Sequence, residues 1–154
     1  MAEELEVDLD ELIETFSMKD GQGVSRTFHV ERRLHPIGIY LEASENLEFG
    51  YKFAVHGELN CNQPELLAKL MEKVRKGIRE RHVKAGVFPN GQAYNSVIND
   101  RLKGLIKHDE TSEGTPLVII DGKPFSWEEV GKMLMSYEGF QIKIEMYDMT
   151  DDLD

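Results

Sequence analysis

The chain has 154 residues, of which 40% are hydrophobic and 31% charged, and a formal net charge of -11. A chain of that size buries about 68–70% of its unfolded surface as one domain, and its composition excludes wholesale disorder. Its one cysteine, Cys61, excludes an internal disulfide and a cysteine-rich zinc site, and no apolar run nears the roughly 18 residues of a membrane span.

Residues 1–14 carry seven acids and no base. A signal peptide needs a basic region and an apolar run there, so the expectation is a cytoplasmic protein. The last ten residues carry five more acids, again without a base, which leaves the body of the chain nearly neutral. Residues 1–7 and 149–154 are therefore expected to be acidic, mobile ends of a single domain. Such ends aid solubility. A sharper role is to cover a basic surface or compete with nucleic acid for it.

After this leader, Leu12, Ile13 and Phe16 give a short helix one apolar edge, with Asp8 as its cap. Three alternating runs follow. Phe28 and Val30 alternate with Thr27, His29 and Glu31. After a turn at His35-Pro36, Ile37, Ile39, Leu41 and Ala43 alternate with Gly38, Tyr40 and Glu42. Leu47 to Val55 then alternates with Glu48, Gly50, Lys52 and Ala54. Period two with short connections predicts an antiparallel meander with one dry and one wet face.

A long helix starts at Pro64, where a missing N–H costs nothing, and buries Leu67, Leu70, Met71, Val74 and Ile78. It fades between His82 and Gly86, and the segment from Val87 to Asn95 reads as a loop around Pro-Asn-Gly. Leu102–Lys107 fits either a helix or a strand paired with Pro116–Ile120. The Asp121-Gly122 pair makes a turn. Ser126 then caps a second helix, with Glu129 completing a capping box, a face of Trp127, Val130, Leu134 and Tyr137, and Gly139 as the stop. Phe140, Ile142, Ile144 and Met146 alternate with Gln141, Lys143, Glu145 and Tyr147, which predicts a final strand.

The run IDGKPFSWEEVGKMLMSYEGFQ is the most distinctive text. Together with GYKFAVHGELN and the helix after it, the run resembles an uncharacterised prokaryotic domain family bearing IDGxxxSWEExGxMLMSYEG, an aromatic residue and Gln. The likeness spans roughly the last two-thirds of the chain and implies no activity. It does favour the strand for Leu102–Lys107.

The fold class expected is α+β: a largely antiparallel sheet with two main helices on one face, built as meander, long helix, hairpin, helix and final strand. If that sheet pairs without a bulge, its wet face gathers His29, Tyr40, Lys52, His56, Gln141 and Lys143, a mixture suited to a protein partner or a second copy. The basic residues Arg75, Arg79, Arg81 and Lys84 end the long helix. They complement its dipole, and Glu65–Lys69 and Glu72–Lys76 are favourable pairs. As an anion or nucleic-acid surface the cluster lacks interleaved aromatics.

Cys61 precedes a helix start, where a thiol is activated, and His56 is five residues upstream. Spacing alone supplies neither hydrogen-bond reach nor a third orienting group. No histidine spacing nominates a metal, and no glycine-rich phosphate loop nominates a nucleotide. No cofactor and no catalytic residue are expected. The reading is a non-enzymatic cytosolic binding or regulatory module. Its alternatives are a nucleic-acid-associated protein using the basic helix end and a small enzyme with a site assembled from dispersed residues.

Overall fold

A computed structural model describes residues 15–153. They form two compact units, one of residues 15–48, 52–79 and 146–153, the other of residues 49–51 and 80–145.

The first unit is a four-stranded antiparallel sheet, β1 (Thr15–Lys19), β2 (Ser25–His35), β3 (Gly38–Glu45) and β4 (Lys52–Gly57), in sequential order. The register pairs Leu41 with Val55 and Ala43 with Phe53, so the alternation read from the sequence does set one dry face. Phe28, Ile39, Leu41 and Ala43 are buried on it. Helix α1 (Gln63–Arg79) covers this face with Leu66, Leu67, Leu70, Val74 and Ile78. Leu70, Val74 and Ile78 have no exposed surface, and each such side chain contributes about 1.5–3 kcal/mol of burial. The Asn62 side chain accepts from the Glu65 amide and caps the helix.

Three expectations need correction here. Phe16 belongs to β1 rather than to a helix, and stacks on Phe28 with ring centroids 5.4 Å apart. Asp8, Leu12 and Ile13 lie outside the described residues. β4 starts at Lys52 rather than Leu47, because β3 pairs only from Ser44 onward with Lys52 and leaves Leu47 60% exposed in the connection. Ile37 is also exposed, at the tip of the β2–β3 hairpin. The turn at Asp20–Gly23 is more than a turn. The buried Asp20 carboxylate accepts from the Gln22 and Val24 amides and from Arg26, which also reaches Glu45.

The second unit holds a hairpin, β5 (Val83–Val87) with β6 (Ala93–Val97), and a three-stranded sheet, β7 (Leu105–His108), β8 (Pro116–Ile120) and β9 (Lys123–Ser126). The expected pairing of residues 102–107 with Pro116–Ile120 is realised in part as β7–β8, which starts only at Leu105 and runs on to His108. Both Asp121 and Gly122 have positive φ, as a tight β8–β9 hairpin turn requires. Helix α2 (Trp127–Leu134) begins with the full Ser126–Glu129 capping box and runs into a 3-10 turn at Met135–Tyr137, with Gly139 at φ 92. Its buried residues are Val130 and Met133, which join Val83, Ile120 and Phe125 in the core, whereas Trp127 is half exposed.

Among the described residues, three separate sheets stand in place of the single sheet expected from the sequence. The segment read as a loop, Val87–Asn95, closes the β5–β6 hairpin. Tyr94 lies across Gly86, where a Cβ would come within 2.4 Å of its ring, and packs on Phe88 at 4.4 Å. That aromatic cover compensates for the weak strand propensity of the sequence there. Among the described residues, no strand covers 140–147, where a final strand was expected. Phe140, Ile142 and Ile144 are 67%, 67% and 66% exposed and belong to no sheet.

Candidate functional site

The polar face of the four-stranded sheet gathers more side chains than the sequence alone nominated. Register places His29 beside Ser44 and Lys52 in one row, and Arg33 beside Tyr40 and His56 in another. Glu31 faces Glu42 between them. Two like charges opposite one another are unfavourable unless something bridges them. Arg33 and Tyr40 do so. Arg33 bonds Glu31 at 3.0 Å and lies 5.5 Å over the Tyr40 ring, and the Tyr40 hydroxyl donates to Glu42 at 3.0 Å. The Glu31 hydrogen bond and the Glu42 charge hold the Arg33 guanidinium further into its charged range. Burial, then the Glu42 contact, raises the Tyr40 phenol to about 12. His56 sets the Nε2–Cε1 edge of its ring against Gly38, whose position admits no Cβ because the Gly57 carbonyl would be 2.4 Å away.

Glu31, Arg33 and Glu42 were not nominated as site residues from the sequence. β2 was read only as far as Glu31, whereas it runs to His35 and brings Arg33 level with Tyr40.

The C-terminal tail borders this face. Lys73 Nζ, on α1, donates to the Ala54 carbonyl of β4 at 2.9 Å and to the tail carbonyls of Met149 and Asp151 at 2.8 and 2.6 Å. Asp148 acts on Tyr40 and feels the His56 charge. Burial lowers the Lys73 ammonium, and the Asp152, Asp151 and Asp148 charges oppose that. Part of the acidity of the chain end is therefore spent within the chain.

The other nominated residues are placed differently. Gln141 and Lys143 lie in no strand of the four-stranded sheet. The four basic residues do not share one element. Arg75 and Arg79 are on α1, where Arg75 is paired with Glu72, whereas Arg81 follows the helix and Lys84 is on β5. The Arg81 Nε lies 3.9 Å from the buried Asp121 carboxylate. Cys61 and His56 take opposite sides of β4. Gly57 faces the Cys61 thiol, and the adjacent residue of a strand points the other way.

A second charged cluster, unread in the sequence, lies in the second unit. The Asp121 carboxylate accepts from the His82 ring and amide and from the Val83 amide. Glu80 receives Lys103 at 2.9 Å and approaches His82 Nε2 at 3.2 Å. That second contact lacks the alignment of a hydrogen bond. Both imidazole nitrogens thus face carboxylates and His82 is only 5% exposed. The arrangement fastens β5 to the β8–β9 turn and presents neither nitrogen to a substrate. Among the described residues no group of three or more His, Cys, Asp or Glu side chains is placed to hold a metal ion. Likewise, no helix is long and apolar enough to cross a membrane.

Residues 10–79 match the family model of a domain of unknown function (DUF7686), and residues 82–151 match that of another domain of unknown function (DUF7713). The two matches meet at the end of α1. Neither description assigns a role. No curated protein and no solved structure matches the chain.

Proposed function

We propose that the chain is a non-enzymatic cytosolic binding or regulatory module that engages a protein partner through the polar face of its four-stranded sheet. The observation that carries this reading is the linked set Glu31–Arg33–Tyr40–Glu42. Arginine and tyrosine dominate binding energy at protein interfaces because each offers a broad contact and fixed polar groups. Here both are held in place before any partner arrives. The entropy lost on docking is reduced accordingly. His29, Lys52 and His56 flank the set and give the face mixed charge, which suits a protein surface better than a polyanion.

The test is affinity capture from cell extract with wild type and with Tyr40→Ala, both shown to be folded by circular dichroism. A protein retained by the wild type and depleted about tenfold by the substitution is expected. Equal recovery on the two baits overturns the reading.

A further inference from the structure

The β5–β6 hairpin has one face on which two aromatic rings and a lysine stand together. Pairing of Lys84 with Ser96 and of Gly86 with Tyr94 puts these four residues on one side of the ribbon. Phe88 extends the row. Its amide donates to the Gln92 carbonyl at 2.8 Å, and its ring lies 4.4 Å from that of Tyr94. A side chain at Gly86 would displace the Tyr94 ring, which a Cβ would meet at 2.4 Å. The loop beyond is pinned by the Gly91 amide on the Phe88 carbonyl and the Gln92 amide on the Asn90 side chain. The rings are thus held in place, yet Phe88 and Tyr94 are 48% and 40% exposed. Lys84 is exposed and diagonal to Tyr94, about 7–8 Å away along the ribbon and within reach of a long side chain.

Charge selects the occupant. Residues 81–99 hold Arg81, His82 and Lys84 and no acid, in a chain with 29 acids. The acids that bound this stretch are engaged at the foot of the hairpin. Glu80 receives Lys103 at 2.9 Å, and Asp100 accepts from the Tyr137 hydroxyl at 2.8 Å. A cationic, aromatic face suits an anion that carries flat rings. Size then decides between polymers. Five residues of a two-stranded ribbon cover about 10 by 17 Å. That is far below the roughly 800 Å² that each partner buries in a standard protein interface. One or two bases with a phosphate fit it, provided the bases are not already stacked inside a duplex. The basic cluster read from the sequence at Arg75, Arg79, Arg81 and Lys84 lacks aromatic partners, and the hairpin supplies them to Lys84.

We infer that the Lys84–Tyr94–Phe88 face of the hairpin binds single-stranded nucleic acid, with bases stacked on the aromatic pair and a phosphate at Lys84. The net charge of -11 opposes the approach of phosphate, so the affinity is modest and falls with salt. No residue is shared with the Arg33–Tyr40 set, so this inference and the partner reading fail separately.

The experiment is an anisotropy titration of the full chain against a short labelled oligothymidylate, and against its duplex with oligoadenylate, over a salt series. Wild type should bind the single strand at least about tenfold more tightly than the duplex. Phe88→Ala should weaken single-strand binding about tenfold at every salt concentration. Lys84→Gln should weaken it too, and should make the slope of log affinity against log salt shallower by about 0.7, the share of one phosphate. Lys84 is exposed, and circular dichroism checks that both variants remain folded. Arg75→Gln, on α1, should change nothing. No binding up to about 1 mM protein at low salt overturns the inference. So do equal affinity for the duplex, hairpin variants that bind like wild type, or a loss confined to Arg75→Gln. A protein captured through Phe88 while no oligonucleotide binds also overturns it.

Discussion

Asp121 holds His82 twice, with one carboxylate oxygen 2.9 Å from the backbone amide and the other 2.9 Å from ring Nδ1. Burial alone would raise the Asp121 carboxyl. The His82 ring, then the His82 and Val83 amides, outweigh that and hold it below the usual carboxylate range. A group with a lowered native pKa stabilises the fold above its unfolded value, about 3.9 for aspartate, and loses that contribution as pH falls through the native value. Asp121→Asn keeps a residue that tolerates the positive φ of the turn. It should cost about 2 kcal/mol at neutral pH. Urea unfolding followed by Trp127 fluorescence should show the gap between wild type and variant closing below about pH 4. A gap that stays constant into acid would mean the carboxylate charge contributes nothing.

Two helical glycines should respond oppositely to alanine. A Cβ at Gly131 meets nothing within 4 Å. Gly131→Ala should therefore stabilise by about 1 kcal/mol through helix propensity. At Gly77 a Cβ would come within 2.2 Å of the Phe53 ring, which also packs on Phe28 at 6.2 Å between centroids. Displacing that ring costs about 1–3 kcal/mol, more than the propensity gain. Gly77→Ala should lower the urea midpoint while Gly131→Ala raises it.

The contrast between β3 and residues 140–147 shows what was legible in the sequence. Both alternate cleanly. In β3 the alternation identifies the dry face, and Ile39, Leu41 and Ala43 are buried as expected. In 140–147 the same pattern falls in no described strand, because periodicity reports the side chains of one segment and not whether a neighbour pairs with it. Local chemistry was readable wherever its partners are close in sequence, as in the Ser126–Glu129 capping box. The Asp121–His82 contact spans 39 residues, and Asp121 reads only as a turn residue. Arg33 was missed for the same reason, since its value to the site comes from the strand beside it.

The Tyr40 phenol offers a spectroscopic handle on the polar face. Burial and the Glu42 carboxylate raise it to about 12. The neutral phenol is therefore favoured by the fold. Its contribution is complete below the unfolded value of about 10 and is lost as pH rises from there toward 12. Absorbance titration of phenolate should show a late-ionising tyrosine that disappears in Tyr40→Phe and moves down in Glu42→Gln. If Glu42→Gln leaves the titration unchanged, the Tyr40–Glu42 hydrogen bond is not kept in solution.

Lys73 fastens the acidic tail to the edge of β4, and its removal should free that tail without unfolding the sheet. Its ammonium spans three carbonyl oxygens, one on β4 and two in the tail. Lys73→Met keeps most of the apolar stem but deletes every donor. Losing bonds from a charged donor costs about 1.5–3 kcal/mol each, part of which water returns to the exposed tail carbonyls. The Asp151 amide, bonded to the Asp148 carbonyl at 3.0 Å, is the reporter. Its hydrogen exchange should accelerate about tenfold or more in Lys73→Met, while the amides of Arg32 on β2 and Leu41 on β3, the central strands, keep their protection. Because Asp148 lies in the field of Tyr40 and His56, release of the tail should also lower the Tyr40 ionisation. Unchanged exchange at Asp151 would show that the tail is held by something other than this lysine.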